Sequence, residues 1–196
     1  MDATPHSGPM KLRGPLHLAV GIAAIAAPAL HTLTDIMEWQ HGGFTDVQLW
    51  LNLLAFLPMP LLLLGLYAVQ QPRPNAVGLL GALLYGVAFA YFTYTSLYAL
   101  AEHLPTYAAL WARLGRVYTF FGALMVCGGF LFGWSSLRVG WFPKLSLALF
   151  LTGLTVNLVL ALVPAPDILQ TVGSAIRNAG LIAMGHAALT KRARDA

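Results

Sequence analysis

Long apolar stretches follow one another along this chain with short polar breaks between them. Each stretch approaches the length of about 20 residues that a helix needs to cross a hydrocarbon core. The breaks carry turn-forming residues: His41-Gly42-Gly43, Gln71-Pro72-Arg73-Pro74-Asn75, Leu104-Pro105, Gly140 ahead of Pro143, and Pro164-Ala165-Pro166. The pattern predicts six spans near residues 15–39, 46–70, 76–101, 107–136, 143–163 and 167–190, with punctuation where helices should stop. It predicts one transmembrane domain over residues 1–196, an all-α polytopic bundle.

Lys11 and Arg13 followed by an apolar stretch ending near Ala27-Pro28-Ala29 also resemble a secretory signal with a small-residue cleavage site. The chain retains the segment, so it is read as the first span.

Composition agrees with a lipid environment. Of 196 residues, 58% are hydrophobic and only 9% charged, against roughly 25% charged in a soluble domain. The single cysteine, Cys127, excludes a disulfide framework and a multi-cysteine metal site. Lys11, Arg13, Arg73, Arg138, Lys144, Lys191, Arg192 and Arg194 all fall on one side of the predicted bundle. By the positive-inside rule that side is cytoplasmic, which places both termini inside, in a membrane of the bacterial inner (plasma) type. The net charge of +4 therefore reads as topology, with no nucleic-acid partner expected.

The opposite half holds the chemistry-bearing residues. At 100° per residue, His31, Asp35 and Glu38 lie within about 60° of one another on the first span. His17, Gly21, Ala24 and Pro28 continue their stripe inward. On the third span Tyr91, Tyr94, Thr95, Tyr98 and Glu102 share a face, with His103 beside it. The sixth contributes Gln170, Ser174 and Arg177, and an Arg that deep calls for a carboxylate, Asp35 or Glu38. The second span adds Gln48 and Asn52, the fourth Arg113 and Arg116, and the fifth Asn157. Trp39, Trp50, Trp111, Trp134 and Trp141 mostly sit at span ends, as an interfacial belt would. The plain alternative is a buried salt-bridge network that only holds helices in register.

Carboxylates and a histidine in a dry, tyrosine-lined chamber suit proton transfer to an apolar substrate, with aromatic faces to stabilise a cation. The expected activity is isomerisation or cyclisation of an isoprenoid or sterol-like lipid that enters from the bilayer, without a cofactor. Asp35 or Glu38 would donate the proton and His31 or Glu102 would exchange it. Tyr91, Tyr94, Tyr98, Trp39, Asn52, Asn157 and Arg113 would line the substrate, and Arg177 would fix the carboxylates.

Two stretches resemble a known family. His31-Thr32-Leu33-Thr34-Asp35 is similar to the His-xxx-Glu element of the emopamil-binding (EXPERA) sterol isomerase family. Leu97-Tyr98-Ala99-Leu100-Ala101-Glu102-His103 looks like that family's Leu-Tyr-x-Leu-x-Glu-His stretch. Pro60-Leu61, the Pro72–Pro74 turn and Phe121-Gly122-Ala123-Leu124 also resemble it, so the likeness covers about residues 25–135. The resemblance implies a membrane bundle and sterol isomerase chemistry. It departs at the family's catalytic glutamate, which would fall near Leu51 or Asn52, and at its Asn and Trp, which would fall near Gly122 and Met125. The fifth and sixth spans have no counterpart.

Two other classes stay open. Six spans allow a three-plus-three repeat and a proton-coupled carrier, although the halves show no clear similarity. His17 and His31, about 21 Å apart at 1.5 Å per residue, would suit a b-type haem or quinone protein. Against it, Phe89 stands where a matching histidine would precede His103. His31, Asp35, Glu38, Glu102 and His103 supply metal-type donors, but no HExxH spacing supports a metal site. No span holds the interior lysine that a retinal protein requires. Protein partners are not indicated.

Overall fold

The computed structural model describes residues 13–163 and 167–194. His6, Lys11 and the Pro164-Ala165-Pro166 turn lie outside the described residues, as do the side chains of Arg13, Asp167, Arg192 and Arg194.

Seven helices make up the described chain: α1 (Arg13–His41), α2 (Asp46–Phe56), α3 (Met59–Val69), α4 (Ala76–Ala101), α5 (Tyr107–Val139), α6 (Lys144–Leu162) and α7 (Asp167–Arg194). Short polar side chains set the starts, because a helix begins with unsatisfied N–H groups. Thr45, Asn75 and Thr106 accept from the backbone N–H of Gln48, Gly78 and Ala109, each at 3.2 Å. Gly140, at φ 69°, closes α5 in the left-handed conformation. α1 continues unbroken through Pro28 and the signal-like Ala27-Pro28-Ala29.

Among the described residues, five segments are long and apolar enough to cross a membrane: Gly14–His41, Asp46–Val69, Ala76–Ala101, Tyr107–Val139 and Lys144–Leu162. Two departures from the sequence reading follow. The second span is two helices, because Pro58 and Pro60 remove backbone donors at adjacent turns and break the ladder at Leu57-Pro58. α7, read as the sixth span, is not among the five. Gln170, Arg177 and Asn178 dilute its apolar character.

The helices close into a ring in the order α1, α2 with α3, α4, α5, α6, α7 and back to α1. Small residues bring the helices together. A methyl group at Gly128 would lie 2.6 Å from the Tyr85 nitrogen of α4. One at Gly153 of α6 would overlap the backbone of Arg177, so α7 lies flush on α6 at that level. The break at Pro58 decides what fills the ring. α3 reaches towards α5 and α7 and plugs the half of the ring near the α1 N-terminus with Met59, Leu62, Leu63 and Leu66, all buried. α2 packs on α1 and α4 but not on α5 or α7. The centre of the other half is therefore left to side chains, and Arg177, His31, Phe56, Phe89 and Met125 occupy it.

Candidate functional site

α1 and α7 run antiparallel side by side, and two turns of each meet at mid-depth. There the Arg177 side chain, 3% exposed, reaches inward from α7, and His31, 7% exposed, meets it from α1. Arg177 Nη2 lies 3.3 Å from His31 Nδ1, and Asn178 Nδ2 lies 3.4 Å from the same nitrogen. A guanidinium and an amide nitrogen can only donate. His31 Nδ1 therefore accepts, and the imidazole proton sits on Nε2. That nitrogen lies 3.3 Å from Asp35 Oδ1, one helical turn towards the α1 C-terminus. The network thus has a direction, from Arg177 and Asn178 through His31 to Asp35.

The amide of Asn178 is oriented by its neighbours. Its Oδ1 accepts from Arg177 Nη2 at 3.4 Å, and its Nδ2 donates to Thr32 Oγ1 at 3.0 Å. Thr32 passes its own hydroxyl proton to the Pro28 carbonyl at 2.9 Å. Arg177 Nη1 donates to Met125 Sδ of α5 at 3.5 Å. The guanidinium also lies 5.8 Å from the Phe89 ring centre on α4. One side chain thus touches α1, α4 and α5 across the ring.

The sequence reading expected a carboxylate directly on Arg177. The structure interposes His31, because Asp35 lies about 6 Å further along the helix axis than residue 31. Phe56 meets the His31 ring edge-on at 4.7 Å and 77°. Phe89 meets Phe56 at 5.5 Å, and Phe92 continues the aromatic wall at 5.6 Å. The imidazole is thereby screened from water on its apolar faces. Glu38, half-buried on the same stripe, acts electrostatically on the Tyr118 phenol of α5, as does Asp35. Tyr118 packs on Phe92 at 5.3 Å and on Tyr107 at 5.5 Å. α1 and α5 are not neighbours in the ring, so Asp35 and Glu38 act on Tyr118 across it.

The other expected residues separate into three groups. Asn52 ties helices together: Thr34 Oγ1 donates to its Oδ1 at 3.1 Å, and its Nδ2 donates to Ser96 at 3.2 Å. Asn157 donates to the Gln170 carbonyl and side chain at 3.1 and 3.0 Å, near the α6–α7 turn, away from His31. Tyr91 stacks on Phe121 of α5 at 4.0 Å and 11°, while Tyr94 is 51% exposed and Tyr98 follows it at 6.1 Å. The tyrosine ladder thus runs along the α4–α5 seam and outward rather than into the His31 cluster. Glu102 and Arg113 are exposed, and Trp39 is 53% exposed. Glu102 stands at the α4 C-terminus with His103, whose φ is 49°. A shallow depression of about 370 Å³ near there, lined by Asp46, Trp50, Leu97 and His103, is separate from the cluster.

Asn178, Thr32 and Met125 went unread in the sequence. Asn178 and Thr32 carried a signal, since each is a second polar residue beside one already singled out. Met125 carried none. Both nitrogens of His31 are engaged, which leaves neither for haem iron. Among the described residues no three His, Cys, Asp or Glu side chains are grouped to hold a metal ion. The chain matches no family model, no curated protein and no solved structure.

Proposed function

We propose that this is a membrane-embedded acid–base enzyme, an isomerase or cyclase that protonates a carbon–carbon double bond of an isoprenoid or sterol-like lipid at Asp35. The observation that carries this reading is the His31 imidazole held between Arg177 and Asp35, with its single proton aimed at the carboxyl group. In the protonated state Asp35 donates its proton to the alkene and leaves a carbocation. The Arg177 charge, relayed through His31, stabilises the carboxylate that remains. Loss of a proton from a neighbouring carbon to Asp35, or to Glu38 with Asp35 then reprotonated from water as Glu38 releases its proton, completes an isomerisation with no net change in atoms or electrons. Phe92 and Tyr118, packed at 5.3 Å, would offer aromatic faces to the cation.

The EXPERA-like kinship belongs to the same proposal, on the strength of the His31–Asp35 stretch, since Leu97–His103 ends in exposed residues. The proposal also takes α7 as a sixth span, with both termini cytoplasmic in an inner-type membrane. Its antiparallel packing along α1, from Gly21 beside Gly185 to His31 beside Arg177, supports this.

Protonation at carbon leaves a label. Purified protein incubated with a total membrane-lipid extract in D2O should incorporate deuterium into at least one apolar lipid, detected by mass spectrometry. Asp35→Asn, folded by circular dichroism, should reduce that incorporation at least about 100-fold, the usual scale for an acid–base group. Equal labelling by wild type and variant would refute the assignment. Proton uptake into proteoliposomes with no labelled lipid would favour the carrier.

A further inference from the structure

Two buried polar atoms at the centre of the ring have no hydrogen-bond partner among the described residues: Arg177 Nε and the Tyr85 hydroxyl. Tyr85 is fully buried and lies within electrostatic range of Arg177. Phe89 connects them, 4.7 Å from the Tyr85 ring and 5.8 Å beneath the guanidinium. Phe150 closes the far side of Tyr85 at 6.0 Å. Leaving such donors unmade in an apolar interior costs about 1–3 kcal/mol each, so the pair marks a place where an oxygen atom belongs.

We infer that Arg177 Nε–H and Tyr85 O–H bind the oxygen of the lipid substrate, and that this oxygen is uncharged: a hydroxyl or carbonyl. This inference rests on the acid–base reading above and names its substrate class. The charge argument is local. Once Asp35 has given up its proton, its carboxylate counters Arg177 through His31, and a carboxylate or phosphate on the substrate would then leave a surplus negative charge in a low-dielectric chamber. The aromatic wall sets the rest of the molecule. From Tyr85 it runs through Phe89 and Phe92 to Tyr118, opposite Asp35 and Glu38. Residues 85 and 92 are about 10 Å apart along the helix axis. A substrate anchored by its oxygen at Tyr85 therefore offers Asp35 a double bond well removed from that oxygen. The class is a long-chain isoprenoid alcohol or ketone, protonated at its distal end.

The probes are farnesol, farnesene and farnesoic acid, offered at matched mole fraction in one detergent. Wild type should bind farnesol about tenfold more tightly than the hydrocarbon, the value of a hydrogen bond to a charged group. It should also prefer farnesol to the acid. Tyr85→Phe removes only an unpartnered hydroxyl, so its unfolding temperature should hold. Its alcohol preference should fall to about threefold or less, with farnesene affinity unchanged. If Tyr85→Phe unfolds, the wild-type ranking alone decides. No alcohol preference in wild type, or full preference retained in Tyr85→Phe, overturns the site and leaves water as its occupant. Asp35→Asn should keep the preference for farnesol over farnesene and lose the preference over farnesoic acid. Binding that follows this pattern without deuterium transfer would end the acid–base reading and leave the oxygen site standing.

Discussion

A buried charge needs partners, about 3 kcal/mol being the lenient cost of an arginine at the centre of a membrane span, and Arg177 finds them in His31, Asn178 and Met125 rather than in a direct carboxylate. The convergence of His31, Asp35 and Arg177 was legible in the sequence, because ionisable residues in lipid-length helices must face protein. Their order was not, since it depends on the relative height of α1 and α7 and on side-chain rotamers. Asn52 shows the same limit. It read as a substrate contact, yet its two bonds join α1, α2 and α4. Asn52→Leu should cost about 0.5–1.5 kcal/mol of stability, measured by denaturation in mixed micelles, and should leave deuterium transfer intact. Loss of transfer at wild-type stability would return Asn52 to the site.

At the scale of the helices, close approach decides which pairs pack. A methyl group at Gly81 would meet the Phe132 nitrogen and would lie 2.6 Å from the Gly128 carbonyl across the α4–α5 seam, whereas one at Gly122 meets nothing within 4 Å. Gly81→Ala should therefore destabilise by about 1–3 kcal/mol. Gly122→Ala should be neutral or should stabilise by up to about 1 kcal/mol through helix propensity. Thermal unfolding of the two variants in one detergent checks both, and equal effects would mean that the seam does not set this packing. The helix boundaries were largely visible in the breaks, and α4 falls on its expected residues. The division of the second span was not read, although Pro58 and Pro60 stand in plain view. Hydropathy runs unbroken across them, and it reports transfer to lipid, not backbone hydrogen bonding.

At the scale of the molecule, the ring gathers the His31 cluster in one half and a dry plug of α3 side chains in the other. The proposed topology makes a direct prediction. In a Cys127→Ser background, Gln40→Cys at the end of α1 should react with a membrane-impermeant maleimide added to intact cells. Gln71→Cys, beyond α3, should react only after permeabilisation. Labelling of both from one side would reject the arrangement.

The order of apolar stretches and turn residues determined by itself that the chain is a helical membrane bundle, because lipid leaves an unpaired backbone no other partner. It also pointed His31, Asp35 and Arg177 inward, whereas Glu102 and Arg113, expected with them, are exposed. Only the tertiary structure decided that Arg177 crosses the ring to α4 and α5, that His31 separates it from Asp35, and that the tyrosines follow the α4–α5 seam. Those outcomes depend on helix rotation and relative depth, which small residues and one proline break set through contacts between segments far apart in the chain.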